Sequence, residues 1–176
     1  MALVLDGTTG IVSANIADGT ISANDLASGA ITSSALPTGS VLQVVSNTYT
    51  TQTSITSGTK GSGTETGLQV TITPISASNK FLIFGHVAIY LNYTTNAGAS
   101  LEIHDGSSIV YTQEMWAAYG NGDGQEDYHM QVPFHAFITP SSSGAITYKV
   151  RAWKNLAVTA QNNGIPSTIS ILEIAQ

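Results

Sequence analysis

Four histidines and eleven acidic residues are the side chains of this 176-residue chain with the widest chemical range. Glu102 and His104 stand two apart, as do Asp127 and His129. In a strand each pair would share one face, an arrangement that suits two ligands of a transition metal. Polar positions alternating with core positions explain both pairs without a metal. Asn121, Asp123, Gln125 and Asp127 give residues 121–127 the flavour of a calcium loop, but no glycine falls at the sixth position and no Glu closes a twelve-residue loop. Nucleophile elbows, phosphate-cradling loops and zinc-protease helices are absent, and there is no cysteine to act as a thiolate or a zinc ligand. The expectation is no catalytic residue, no metal and no cofactor.

Two further groups invite attention. His86 lies in a run that is apolar on both of its strand faces, as either a core histidine satisfied by hydrogen bonds or a group near the axis of an assembly, where copies would resist joint protonation. Phe84, His86, Ala88 and Tyr90 share that second face and are the candidates for contact between copies. Trp116 and Tyr119 stand among Ala, Gly and Asn in residues 115–126, read as a loop, and Trp153 ends a strand. Such aromatics stack on sugar rings or lock onto a partner, or else cap a sandwich core or fill a seam between subunits.

The elements that must position these residues read as strands. Residues 41–49 begin the series, and residues 57–67, with four glycines, read as a loop. Leu68, Val70 and Ile72 alternate with polar residues up to Pro74. Residues 81–93 form the longest run, with Phe81, Ile83, Val87, Ile89 and Leu91 on one face and Leu82, Phe84, Ala88 and Tyr90 on the other. A strand that is apolar on both sides in a domain this small implies that its outer face is covered by a neighbour. Asp105-Gly106 marks a hairpin between residues 101–104 and 109–114. In residues 127–138 Met130, Val132, Phe134 and Ala136 point inward, and Pro133 points to an edge strand or bulge. Residues 145–153 and 167–175 complete an all-β, jelly-roll-like β-sandwich.

Before the sandwich comes a repeat. Ile11, Ile16, Ile21, Leu26, Ile31 and Leu36 recur every fifth position between small and polar residues. Five steps turn a helix by about 500°, so the anchors form no stripe, and in a flat strand they alternate faces. An extended arm kinked at Gly10, Gly19 and Gly29 fits, and a single coil of a pentapeptide-type β-helix is the alternative. The domains expected are an arm over residues 1–36, a linker over 37–40 and a knob over 41–176. One anchor per repeat is too little to order the arm alone, so it is read as an assembly anchor. Charged residues make up 9% of the chain and the net charge is −6, which excludes nucleic acid and anionic membranes as natural partners. Lys149 and Arg151 would share one strand face and are read as a solvated pair matched by acids.

Four stretches, ADGTISANDLASGAIT, LPTGSVLQVV, TGLQVTITPISASNKFLIFGHV and STISILEIAQ, resemble the trimeric fibre and capsid-decoration proteins of tailed bacteriophages. The resemblance implies a homotrimer whose jelly-roll knobs pack around a threefold axis and whose N-terminal segment binds a capsid or tail protein. It implies no enzyme activity, no cofactor and a place on the virion surface after synthesis in the host cytoplasm. Without a long shaft before the repeat, a compact decoration or cement protein is favoured. A receptor-binding knob that recognises host surface glycans is the alternative.

Overall fold

The computed structural model describes residues 22, 24, 26–93, 97–118, 126–154 and 158–176, with side chains for all of these except 92, 93, 97, 114–118 and 126–128. The chain divides into two compact units, Met1–Leu36 and Pro37–Gln176. In the described part of the first unit, Gly29 takes a positive φ of 77° and Ala30 N–H closes a turn onto the Ala27 carbonyl, the kink read from the repeat. A single 3₁₀ turn, Ser33–Ala35, follows. Leu26, Ile31 and Leu36 are 43%, 56% and 38% exposed.

The second unit is all-β, with no α-helix among the described residues. Its strands are β1 (Val41–Tyr49), β2 (Thr53–Ile55), β3 (Thr64–Ile72), β4 (Lys80–Tyr93), β5 (Ala97–His104), β6 (Ile109–Ala118), β7 (Glu126–Ile138), β8 (Ile146–Lys154), β9 (Val158–Ala160) and β10 (Ser167–Ile174). The eight long strands pair as nested antiparallel ribbons: β1 with β10, β3 with β8, β4 with β7, and β5 with β6. Folding those ribbons over one another places β1-β10-β4-β7 in one sheet, here sheet A, and β3-β8-β5-β6 in the other, sheet B. That connectivity is a jelly roll.

Alternation drives the two sheets together. Phe81, Ile83, Val87, Ile89 and Leu91 of β4 are buried with Val132 and Phe134 of β7 and Ile169 and Ile171 of β10, in one cluster with the inward residues of sheet B. The Phe81 and Tyr148 rings meet edge to face at 6.0 Å. At about 25 cal/mol per Å² such burial supplies the main favourable term of folding.

Several boundaries differ from the sequence reading. β3 begins at Thr64, inside the glycine-rich stretch read as a loop, because Gly67 at φ 83° shifts the register between Glu65 and Gln69 and lets the strand continue past a bulge. A side chain there would strike the Tyr49 ring. Trp116 lies in strand β6 and not in a loop, since β6 runs to Ala118 opposite Ala97. β2 and β9, three residues each, were invisible to periodicity; β9 pairs the second half of β4 and β2 pairs β9.

Between β9 and β10 the chain crosses from one half of the β4 edge to the other, with Gln161 and Asn163 at φ of 51° and 55°. The ladder at Ala88 is completed by other groups. Its N–H donates to the Ser167 hydroxyl oxygen at 2.9 Å, and its carbonyl accepts from Gln161 N–H at 2.9 Å. With the Gln161 amide oxygen facing the Ser167 hydroxyl at 2.8 Å, its nitrogen donates to the Thr66 and Ala160 carbonyls at 3.1 and 3.3 Å.

Gly85 interrupts the inward face of β4, where a Cβ would meet the Thr168 carbonyl and the Phe134 ring. Gly85→Ala is expected to destabilise the fold by about 1–3 kcal/mol, read as a lower urea midpoint at unchanged m-value. A midpoint equal to that of the unsubstituted chain would refute this account of the packing.

Candidate assembly surface

The outward residues of sheet A line up in rows across its four long strands, because directly paired residues share a face. One row is Val44, Leu172, Leu82 and Phe137, apolar from edge to edge. The next is Ser46, Ser170, Phe84 and His135, and the third is Thr48, Thr168, His86 and Pro133. Val44, Phe84 and Phe137 are 58%, 41% and 61% exposed. Inward partners of the same strands hold the core, so these apolar groups have nowhere to go within the unit. Lys80, which donates to the Thr139 hydroxyl, carries the only fixed charge described on this face.

Further along β4 the face is less open. Ala88 is buried, and a cavity of about 210 Å³ there is lined by Ala88, His129, Gln131, Asn162 and Ile165. A shallower one of about 540 Å³ borders Phe84, His86, Gln131, Pro133 and Thr168. His86 is held at both nitrogens: Pro166 O lies 3.2 Å from Nε2, and Thr168 Oγ1 lies 3.1 Å from Nδ1. A carbonyl only accepts, so Nε2 carries the proton and Nδ1 accepts from the hydroxyl. The Tyr90 and His129 rings meet at a tilt of 38°, with centroids 4.8 Å apart. Phe84, His86, Ala88 and Tyr90 thus lie on one outer face, with Phe84 the most open and Ala88 already covered by its own chain.

Buried acids pin the ends of the sandwich. Glu173 of β10 is fully buried and accepts from Gln43 Nε2 of β1, from the N–H groups of Ile75 and Ser76, and from Asn79 Nδ2 at 2.7 Å. Burial pushes its carboxyl up, but those donors outweigh it and hold the group below the usual carboxylate range. Glu173 therefore fixes β1 and residues 75–79 beside the apolar row. It was missed because one Glu in the run STISILEI carries no local signal. Asp105 is likewise held well below its ordinary value: burial opposes ionisation, and the N–H groups of Ser108 and Ser107 with the Ser141 and Ser107 hydroxyls overcome it. Burial and the charge of Asp105 push the Tyr148 hydroxyl up.

The remaining candidates separate. Glu102 is buried, with Oε1 accepting from Gly61 N–H at 2.6 Å, and His104 Nδ1 accepts from Gly106 N–H at 2.9 Å. Both thus serve loops, and no group of three or more His, Asp or Glu that could hold a metal exists among the described residues. Residues 121–125 of the calcium-like stretch, Tyr119 and the anchors Ile11, Ile16 and Ile21 lie outside the described residues. Trp116 pairs with Ala99 and Trp153 with Ser100, on strands flanking β5. Lys149 and Arg151 both reach Glu65, at 3.0 and 3.2 Å, a partly exposed cluster worth little in stability.

No protein-family model and no curated protein matches the chain. Among solved structures, the chain is similar to the VP2 subviral particle of infectious bursal disease virus, at 14% identity and a TM-score of 0.39, covering 76% of this chain and 37% of that one. It is also similar to T=1 particles derived from the same virus, at 16% identity and a TM-score of 0.38, covering 76% and 36%. The chain spans little more than a third of the length of these neighbours. Both are viral capsid structures, and superpositions this loose carry no argument about what this chain does.

Because the Glu173 proton binds the unfolded chain more readily than the folded one, its stabilisation is complete above about pH 4.3 and is lost as pH falls further. Glu173→Gln should cost about 2 kcal/mol at neutral pH and converge on the unsubstituted chain in acid. Parallel stability curves from pH 7 to pH 3 would contradict this assignment.

Proposed function

We propose that this chain is a structural subunit of a virion surface: a homotrimer of jelly-roll knobs, of the capsid-decoration or short-fibre kind found in tailed bacteriophages. In this reading its N-terminal arm docks on a capsid or tail protein. The observation that carries the reading is the uncovered apolar row Val44, Leu172, Leu82 and Phe137 with Phe84 beside it, on a sheet whose other face already fills the core. Large exposed apolar patches mark contact surfaces, and a face on which Lys80 is the one fixed charge among the described side chains suits a second copy of itself better than a charged ligand. Leu26, Ile31 and Leu36, exposed within their own unit, support the arm as the part that a different protein covers. The phage-like repeat and strand motifs supply the virion context.

In solution the chain should behave as three copies of its 18.3 kDa mass by light scattering at micromolar concentration. Phe84→Asp combined with Phe137→Asp should yield single, folded copies with an unchanged β-type circular dichroism spectrum. Single copies of the unsubstituted chain at that concentration would contradict the trimer. Removal of residues 1–36 should leave trimers that no longer enter particles; normal incorporation would contradict the arm. Particles that assemble and fail only in adsorption would point to receptor binding instead.

A further inference from the structure

Three of the four histidines, His86, His129 and His135, fall on the outer face of sheet A, the face assigned above to contact between copies. His86 is opposite Pro133, His135 is opposite Phe84 and His129 is opposite Tyr90. The titratable and charged groups around them are few. β4 contributes Lys80 and Tyr90, and Tyr111 of β6 approaches the His135 ring with centroids 6.4 Å apart. β10 presents Thr168, Ser170 and Leu172, β1 presents Val44, Ser46 and Thr48, and residues 161–166 contain no ionisable side chain. Of the described carboxylates, Glu173 and Asp105 are engaged in the hydrogen bonds given above, Glu102 with Gly61, and Glu65 with Lys149 and Arg151. None of them faces an imidazole here. Asp127, two positions before His129 and opposite Asn92, falls on the same face of β7, and its side chain lies outside the described ones.

We propose that this face is a pH switch: neutral imidazoles allow copies to close over it, and their protonation opens the assembly in mildly acidic solution. The inference rests on the self-association reading and adds its regulation. Imidazole is the side chain that changes charge between about pH 5 and pH 8. Covering an imidazolium removes its hydration, a cost that only a paired carboxylate offsets. Around a threefold axis the groups nearest the axis meet their own copies, so like charge faces like charge. His86 adds a local term, because protonation turns Nδ1 into a donor aimed at the Thr168 hydroxyl that now donates to it.

The direction of the effect separates it from bulk electrostatics. The chain carries a formal charge of −6 and has a pI near 4.9, so acidification lowers repulsion between whole copies and by itself would tighten association. Weaker association in acid therefore isolates the imidazoles.

The test is sedimentation velocity at about pH 7.5 and about pH 5.5, with circular dichroism confirming folded copies at both. It compares the unsubstituted chain, the triple variant His86→Gln, His129→Gln and His135→Gln, and His104→Gln, whose imidazole lies on sheet B beside Gly106. The unsubstituted chain and His104→Gln should lose trimer in acid, with the dissociation constant rising by at least about tenfold for each histidine that the contact keeps neutral. The triple variant should hold its trimer at both values. Equal trimer content of the unsubstituted chain at both pH values overturns the switch and leaves self-association intact, as does a triple variant that dissociates in acid like its parent. Single copies at pH 7.5 remove the self-association reading and the switch with it. Should the triple variant fail to assemble at pH 7.5, His129→Gln and His135→Gln, made separately at exposed positions on β7, carry the comparison, and a full acid response in both overturns the proposal.

Discussion

β4 is apolar on both faces, and a two-layer sandwich can bury only one of them. Phe81, Ile83, Val87, Ile89 and Leu91 go to the core, with β7 on one edge of the strand and β10 and β9 on the other. Both edges are thereby used, and the outward set of Leu82, Phe84 and its neighbours is left as surface. The proposed contact between copies follows from that mismatch. An apolar row runs across four strands, from Val44 on one edge strand to Phe137 on the other, and large exposed apolar patches of this kind mark contact surfaces.

The scarcity of charge gives the acids unusual roles. Glu173 and Asp105 are used as hydrogen-bond hubs, each collecting donors from a loop that has few other reasons to hold its shape. Glu102 does the same for Gly61. Glu173 exchanges hydration for bonds at both of its oxygens, which keeps a buried carboxylate tolerable. Glu173 and Asp105 thereby tie the geometry of their loops to ionised carboxyls. Acid therefore acts on the loops that Glu173 and Asp105 hold, whose carboxyls lie below the usual carboxylate range.

Much of the architecture was legible because it is written in period two. The two-faced character of residues 81–91, the alternation of residues 129–138 and the Asp105-Gly106 turn all appear as read, and Pro133 does lie on the edge strand β7, where a missing N–H costs no ladder bond. What was not legible depends on contacts distant in sequence. β2 and β9 are too short to show a period, and each exists because β9 pairs with the second half of β4. The start of β3 was hidden by Gly67, whose positive φ makes a bulge and not a break. The surface was partly visible: Phe84, His86 and Tyr90 follow from alternation on β4. Val44, Leu172 and Phe137 join them only once the order β1-β10-β4-β7 is known.

The most direct test uses the absence of cysteine from the chain, which makes an introduced thiol a unique reporter. Phe137→Cys, on the outer face of sheet A, and Ser142→Cys, in an exposed turn, are compared for maleimide labelling in the native state and after unfolding. The account predicts that position 137 is protected until the copies are separated, while position 142 labels at once. Equal native labelling rates at the two positions, in material that still sediments as an assembly, would show that the apolar face of sheet A is open and that copies associate elsewhere.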